Sequence, residues 1–327
     1  MDGLQGGTRA TARRARKSAV LTVCTALGLV LASAPALAKK PARMHKAQNA
    51  PKLTIHTPVT PGSGYLALGD SVTFGFEEPT VVPAPNYADA SSFLGYPELL
   101  GSALHLHVAN AACPGETSSG LVDPTAQSNG CENTPGKGNV GYRTLNPLHV
   151  NYSGSQLAYA VSYLKKHKNV RLVSLMIGAN DFFVCQETTA DHCASLSEEA
   201  AVGASVSKNV ATILGAIRNK AHYGGQIAIV NYYSLNYGNQ LDNSQSQLLN
   251  TTQDSAAKPF HVEIADGFGA LEAAAAHSGG NTCTAGLLTQ LSAGGCGIHP
   301  SHAGQLLLAQ AVEKAIRHSR RRPHQLS

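Results

Sequence analysis

Five short apolar runs separated by stretches of helical period constrain this chain more than any other feature of it. Residues 65–68, 107–112, 170–177, 227–232 and 261–265 read as strands, and residues 96–106, 156–166, 197–220, 244–257 and 303–316 read as helices. The helical stretches carry their apolar residues on one face: Leu157, Val161 and Leu164 in one, and Val206, Val210, Ile213, Leu214 and Ile217 in the longest, which opens on Glu198 and Glu199 where the helix dipole favours acids. Strands apolar on both faces must be covered on both faces, and strand–helix alternation builds parallel sheets. The order therefore predicts one α/β domain over residues 62–318, three layers deep (α/β/α), with a central, mostly parallel sheet of about five strands. No internal repeat and no second core is visible in the 327 residues.

The ends are of another kind. Arg13, Arg14, Arg16 and Lys17 precede an apolar run over residues 19–32, and Ala36-Leu37-Ala38 supplies small residues for cleavage. Residues 1–38 thus read as a removable export signal, the run being shorter than the ~20 residues that span a bilayer. Residues 39–61 form a polar, extended lead-in and 319–327 a basic tail. The leader holds five basic residues and one acid, so it carries four of the five formal positive charges, and the mature chain is near neutral. Nucleic-acid binding loses its electrostatic basis.

Cys24 leaves with the leader, and six cysteines remain. An even number in an exported chain implies disulfides. Fifteen pairings are available; each neighbouring pair brackets a polar, turn-rich segment, which favours Cys113–Cys131, Cys185–Cys193 and Cys283–Cys296. No spacing fits a common zinc pattern, so no metal and no cofactor is expected. The stretch between Cys113 and Gln156 is long for a connection, and Cys131 would pin it.

Chemistry-bearing residues gather at the strand ends. The first strand stops at Gly69-Asp70-Ser71, the second leads into Asn110-Ala-Ala-Cys-Pro-Gly115-Glu-Thr117, and the third into Gly178-Ala-Asn180-Asp181. Gly297-Ile-His299-Pro300 precedes the last helix. In an open α/β sheet, ligands bind beyond the carboxyl ends of the strands. In this order the four segments resemble the blocks of the SGNH hydrolases, the GDSL-type lipases and esterases, most closely the secreted actinobacterial-type members, over residues 65–316. The resemblance implies a flavodoxin-like sheet, Ser71 as nucleophile, His299 as base, and Ser71, Gly115 and Asn180 as oxyanion donors. Val72 stands where the family usually has leucine. Cys296 stands where the family usually has the aspartate that orients the histidine. The expectation is accordingly a Ser–His dyad, with the main-chain carbonyl of Cys296 on His299 Nδ1; Asp266 is the weaker substitute, since it follows a different strand.

Other residues read as structural. Asp70 and Asp181 are expected to bond turn backbone, His302 to begin a helix, and His105 and His107 to lie on an edge. Gly136-Lys-Gly-Asn-Val-Gly141 matches G-x-G-x-x-G but has neither the preceding strand nor the following helix of a nucleotide site. Phe74, Phe76, Phe182 and Phe183 follow the serine and asparagine turns and suit an apolar acyl site. The expectation is a secreted, monomeric serine esterase or lipase acting on a small-molecule or lipid ester, with at most transient lipid-surface contact. A carbohydrate O-deacetylase is the alternative within the same fold, and a non-catalytic secreted binding protein the alternative outside enzymes.

Overall fold

A computed structural model describes residues 58–321. The export signal, residues 39–57 of the lead-in and residues 322–327 of the tail lie outside the described residues. Strands β1 (Gly64–Gly69), β2 (His107–Asn110), β3 (Val170–Met176), β4 (Gln226–Val230) and β5 (Glu263–Ala265) form a parallel sheet in the order β2-β1-β3-β4-β5. Leu66 pairs with Ala109 on one side and Val173 on the other. The order turns back at β1, which makes the gap between β1 and its neighbours at their carboxyl ends the place for a ligand.

Helices follow in the chain as α1 (Ser71–Phe74), α2 (Tyr96–Leu104), α3 (Ser118–Val122), α4 (Tyr142–Leu145), α5 (Gln156–Lys166), α6 (Ala179–Thr188), α7 (Leu196–Gly215), α8 (Gln240–Ala257), α9 (Gly267–Ala275) and α10 (His302–Arg321). One layer holds α2, α9 and α10, with α10 against β4 and β5; the other holds α3, α5, α7 and α8, with α5 against β1 and α8 against β4. The strands are apolar throughout because both faces are covered: every residue of β1 and β4 is buried. Truncating Leu66 or Leu68, each with no exposed surface, should cost about 2–5 kcal/mol.

Local signals set the helix limits. Ser155 caps α5 by accepting from Ala158 N–H, and Ser195 caps α7 by accepting from Glu198 N–H. The α8 helix begins four residues before the expected Ser244, because Asn239 caps it through Leu241 and Asp242 N–H. The longest helix does not run evenly to Lys220; a π-helical turn, Ala216–Lys220, ends it and points buried Arg218 at the carbonyls of Tyr223, Gly225, Phe260 and His261. An antiparallel hairpin, β6 (Leu288–Gln290) with β7 (Cys296–Pro300), stands outside the main sheet. His299, which the sequence places only as preceding the last helix, therefore lies on a strand.

Disulfides join Cys113 to Cys131, Cys185 to Cys193 and Cys283 to Cys296. The stretch from Cys113 to Gln156 is more ordered than its composition suggests, holding α3 and α4. It rests on a small satellite core of Phe74, Phe93, Cys113, Cys131, Tyr142 and Leu148.

Candidate active site

Ser71 is the first residue of α1, directly beyond the carboxyl end of β1. Two buried side chains fix that turn. Asp70 caps α1, its Oδ1 accepting from Val72 N–H at 3.0 Å. Gln156, on α5, accepts from Gly69 N–H at 2.6 Å and donates to Gly69 O at 3.0 Å, so one side-chain amide holds both polar groups of the residue ahead of the turn. Cys113 N–H also donates to Gly69 O, at 3.2 Å, so the buried carbonyl has two donors and the buried N–H its one acceptor.

The Ser71 hydroxyl donates to His299 Nε2 at 2.9 Å. On the other side of the ring, His299 Nδ1–H donates to Glu78 Oε1 at 2.7 Å. A carboxylate can only accept, so Glu78 sets the tautomer and leaves the Nε2 lone pair for the serine proton. Burial alone would raise the Glu78 carboxyl; the hydrogen bond and charge of His299, with the Thr289 hydroxyl donating to Oε2 at 2.6 Å, outweigh it and hold the group down at about 2. Ile298 N–H at 2.8 Å and His299 N–H at 3.3 Å complete the donors to Oε1.

This corrects the expected dyad. In an extended strand three residues span about 10 Å, so Cys296 on β7 lies too far along the chain for its carbonyl to serve His299. Cys296 is instead tied to Cys283. The acid comes from the loop after α1, 221 residues away in sequence. Gly297 admits it: a Cβ there would lie 2.1 Å from Glu78 Oε1. Asp266, the other candidate, caps α9 through Gly269 N–H. His302 is exposed at the start of α10, His105 is exposed at the end of α2, and His107 is the exposed first residue of β2.

Asn180 sits in the first turn of α6 and is 6% exposed. Its Oδ1 accepts from Asn129 Nδ2 at 3.0 Å, and its Nδ2 donates to Asp70 Oδ2 at 3.4 Å. Asp70 also accepts from the Tyr232 hydroxyl. Asp181 reaches across to α3 and accepts from Ser118 N–H at 2.8 Å and Ser118 Oγ–H at 2.6 Å, tying the Gly115 segment to the Asn180 segment. Burial raises both Asp70 and Asp181 to about 6 against these hydrogen bonds. Gly115 adopts φ +78°, in the left-handed region, and a Cβ there would lie 2.5 Å from Asn129 O.

A cavity of about 170 Å³ opens on Ser71, Asn180 and His299. Val72, Phe182, Phe183, Leu249 and Ile298 give it apolar walls, and Asp242, Gln245 and Ser246 of α8 a polar one. Gly115 is not among the residues that line this cavity and lies against Asn129. Phe74 packs into the satellite core with no exposed surface, and Phe76 meets the His299 ring edge-on at 5.0 Å. Among the described residues, Cys185, Cys193 and Glu198, and Glu116, Cys131 and Glu132, bring ligand-type atoms together. The cysteines in both groups are in disulfides and offer no thiolate.

Sequence reasoning missed Glu78, Asn129, Gln156 and Tyr232. Only Gly297 carried a hint of Glu78, as a glycine where a strand would favour a side chain.

A serine on the turn after the first strand of a parallel sheet, bonded to a histidine that is bonded to a carboxylate, has the same order of contacts as a Ser-His-acid triad. The chain belongs to the GDSL-like Lipase/Acylhydrolase family, whose model matches residues 67–307. Membership supports an ester-hydrolysing enzyme. Among solved structures, a phospholipase A1 from Streptomyces albidoflavus NA297 is 18% identical at a TM-score of 0.50, the match covering 78% of this chain and 99% of that one. An alpha/beta hydrolase enzyme from the metagenome of Lake Arreo, Spain, is 15% identical at a TM-score of 0.49 over 79% of this chain and 97% of its own. An acetylxylan esterase from Geobacillus stearothermophilus is 16% identical at 0.45 over 80% and 96%. No curated protein matches the chain.

Proposed function

We propose that the chain is a secreted carboxylic-ester hydrolase working through an acyl-enzyme on Ser71. The Ser71–His299–Glu78 relay is the observation that carries this reading. His299 Nε2 takes the hydroxyl proton as Ser71 Oγ attacks the carbonyl, and the alkoxide of the tetrahedral intermediate is met by the Ser71 N–H, the Asn180 side-chain amide and the Gly115 N–H. The imidazolium then gives its proton to the leaving alcohol. Water repeats the sequence on the acyl-enzyme, with His299 again taking the proton. Glu78 holds the ring and balances its charge without itself becoming protonated.

The cavity supports an apolar acyl group of moderate length. A dry cavity of about 150 Å³ holds a benzene-sized molecule, so the space beside Ser71 suits a chain of about six carbons. The polar α8 wall is the observation favouring the second reading, a sugar ester whose hydroxyls meet Asp242, Gln245 and Ser246. The three disulfides support an oxidising compartment and hence export. A monomer binding only its ester substrate, with brief contact at a lipid surface, completes the proposal.

The test is hydrolysis of a p-nitrophenyl ester series from acetate to palmitate, beside acetylated sugars and a phospholipid. The expected result is a maximum near butyrate to octanoate and no turnover by Ser71→Ala, which should fold as the parent does. Retention of more than a few per cent of activity in Ser71→Ala would remove the nucleophile, and a clear preference for acetylated sugars would favour the second reading.

A further inference from the structure

A side-chain amide has two faces, and only the N–H face can stabilise an alkoxide. Turned over, the Asn180 amide would set a carbonyl oxygen against the developing negative charge. The surroundings of Asn180 decide which face it shows. Burial raises the Asp70 carboxyl to about 6, so at about pH 8 it is a carboxylate and can only accept. Its Oδ2 takes the Tyr232 hydroxyl and Asn180 Nδ2, and its Oδ1 takes Val72 N–H. One N–H of Asn180 is thereby turned to Asp70, and its oxygen must find a donor elsewhere. That donor is Asn129 Nδ2, at 3.0 Å.

Asn129 is placed for this by its main chain. Its N–H donates to Gly115 O at 2.7 Å, and its carbonyl lies so close to Gly115 that no side chain fits there. Two residues further on, Cys131 closes the disulfide to Cys113, two residues before Gly115. Asn129 thus touches both segments that carry the proposed oxyanion donors, the backbone of one and the side chain of the other, yet is absent from the cavity lining.

We propose that Asn129 is a positioning residue that locks the Asn180 amide with its second N–H free for the oxyanion, and holds Gly115 in step with it. The inference rests on the ester-hydrolase reading of Ser71 and His299. A donor is what the position requires. A carboxylate here would leave the Asn180 amide between two acceptors, its oxygen set against one of them whichever way it turns, so the present orientation loses its advantage, whereas an aliphatic side chain would leave the amide merely unheld.

The experiment compares Asn129→Asp and Asn129→Leu with the parent chain, disulfides intact, on p-nitrophenyl butyrate at about pH 8, reading kcat, KM and Tm. Losing one oxyanion donor costs about 10²- to 10³-fold in kcat. Asn129→Asp should approach that loss, Asn129→Leu should lose about tenfold, and KM should stay within about twofold in both. In an Asn180→Ala background neither substitution should matter further. An Asn129→Asp variant no worse than Asn129→Leu, or losses that persist undiminished without the Asn180 amide, would overturn the proposal. Should Asn129→Asp not fold, Asn129→Leu in the two backgrounds decides alone: a loss that vanishes with Asn180→Ala supports the positioning role, and one that persists ends it. Ser71→Ala is run alongside. Full activity there would remove the ester-hydrolase reading itself, while an inert Ser71→Ala beside a fully active Asn129→Asp removes only the role of Asn129.

Discussion

Replacing Glu78 by glutamine separates what the carboxylate does by geometry from what it does by charge. Its Oε1 faces the N–H groups of Ile298 and His299 and the ring Nδ1–H, none of which can accept, so the glutamine oxygen must take that place. The new NH₂ then faces the Thr289 hydroxyl, which can accept as well as donate. Glu78→Gln should therefore keep the ring, its tautomer and most of the fold, and lose only the charge opposite the imidazolium of the transition state. That avoids the wrong-tautomer loss of roughly 10⁴-fold seen when a triad aspartate becomes asparagine. Opposite charges about 4 Å apart at an effective dielectric constant of about 20 attract by about 4 kcal/mol. The amide dipole restores part of this, which leaves a kcat loss of about 10²- to 10³-fold at 1.36 kcal/mol per decade. The assay is steady-state hydrolysis of p-nitrophenyl butyrate with Tm measured on the same samples, and KM should hardly change. Activity within threefold of the parent would refute the charge argument: it would mean that the 2.7 Å contact acts by geometry alone and that the negative charge of Glu78 adds nothing opposite the imidazolium.

Three further outcomes follow from the same geometry. Gly297→Ala puts a methyl group where the Glu78 carboxylate lies, 2.1 Å away, and should cost kcat about as much as Glu78→Gln without altering any reacting group; unchanged kcat would show that the loop yields freely. Folding holds the Glu78 carboxyl at about 2 against 4.5 for the free group, so its stabilisation is complete above about pH 4.5 and is lost as pH falls towards 2; the stability gap between parent and Glu78→Gln in urea titrations should close over that window. Replacing Cys283 and Cys296 together by alanine opens a loop of 13 residues and should cost about 3 kcal/mol by denaturant unfolding while leaving much of the activity at low temperature; complete inactivation of still-folded protein would mean that the bond sets the His299 geometry directly.

The sheet was legible because its strands are buried on both faces and so read as unbroken apolar runs, as in Ile227-Ala-Ile-Val230, wholly enclosed in β4. Segments with weaker patterning were not. The α6 helix escaped notice because Phe183 lines the cavity and Phe182 is shared between cavity and core, and α9 because an alanine-rich run has little amphipathic contrast. The β6–β7 hairpin pairs a three-residue strand with one that itself holds glycine and proline, across the connection Leu291-Ser-Ala-Gly-Gly295, a composition that reads as loop. The cysteine pairs were readable for the opposite reason: each closes a short loop, so the information is local.

The site divides along the same line. Ser71 and Asn180 stand at strand ends, and His299 just before the last helix, where the fold itself directs attention. The groups that hold them come from far away in sequence: Glu78 to His299, Gln156 to Gly69, Asn129 to Asn180 and Tyr232 to Asp70. None belongs to a motif, because each is fixed by what it faces rather than by its neighbours in the chain. A histidine donor requires some acceptor, and any segment able to bring a carboxylate to Nδ1 meets that requirement. Here the strand conformation of β7 takes Cys296 away along the chain, Gly297 clears a space, and the loop after α1 fills it with Glu78. The third member of such a relay is therefore set by the space left beside the histidine, and only the folded chain shows which residue occupies it.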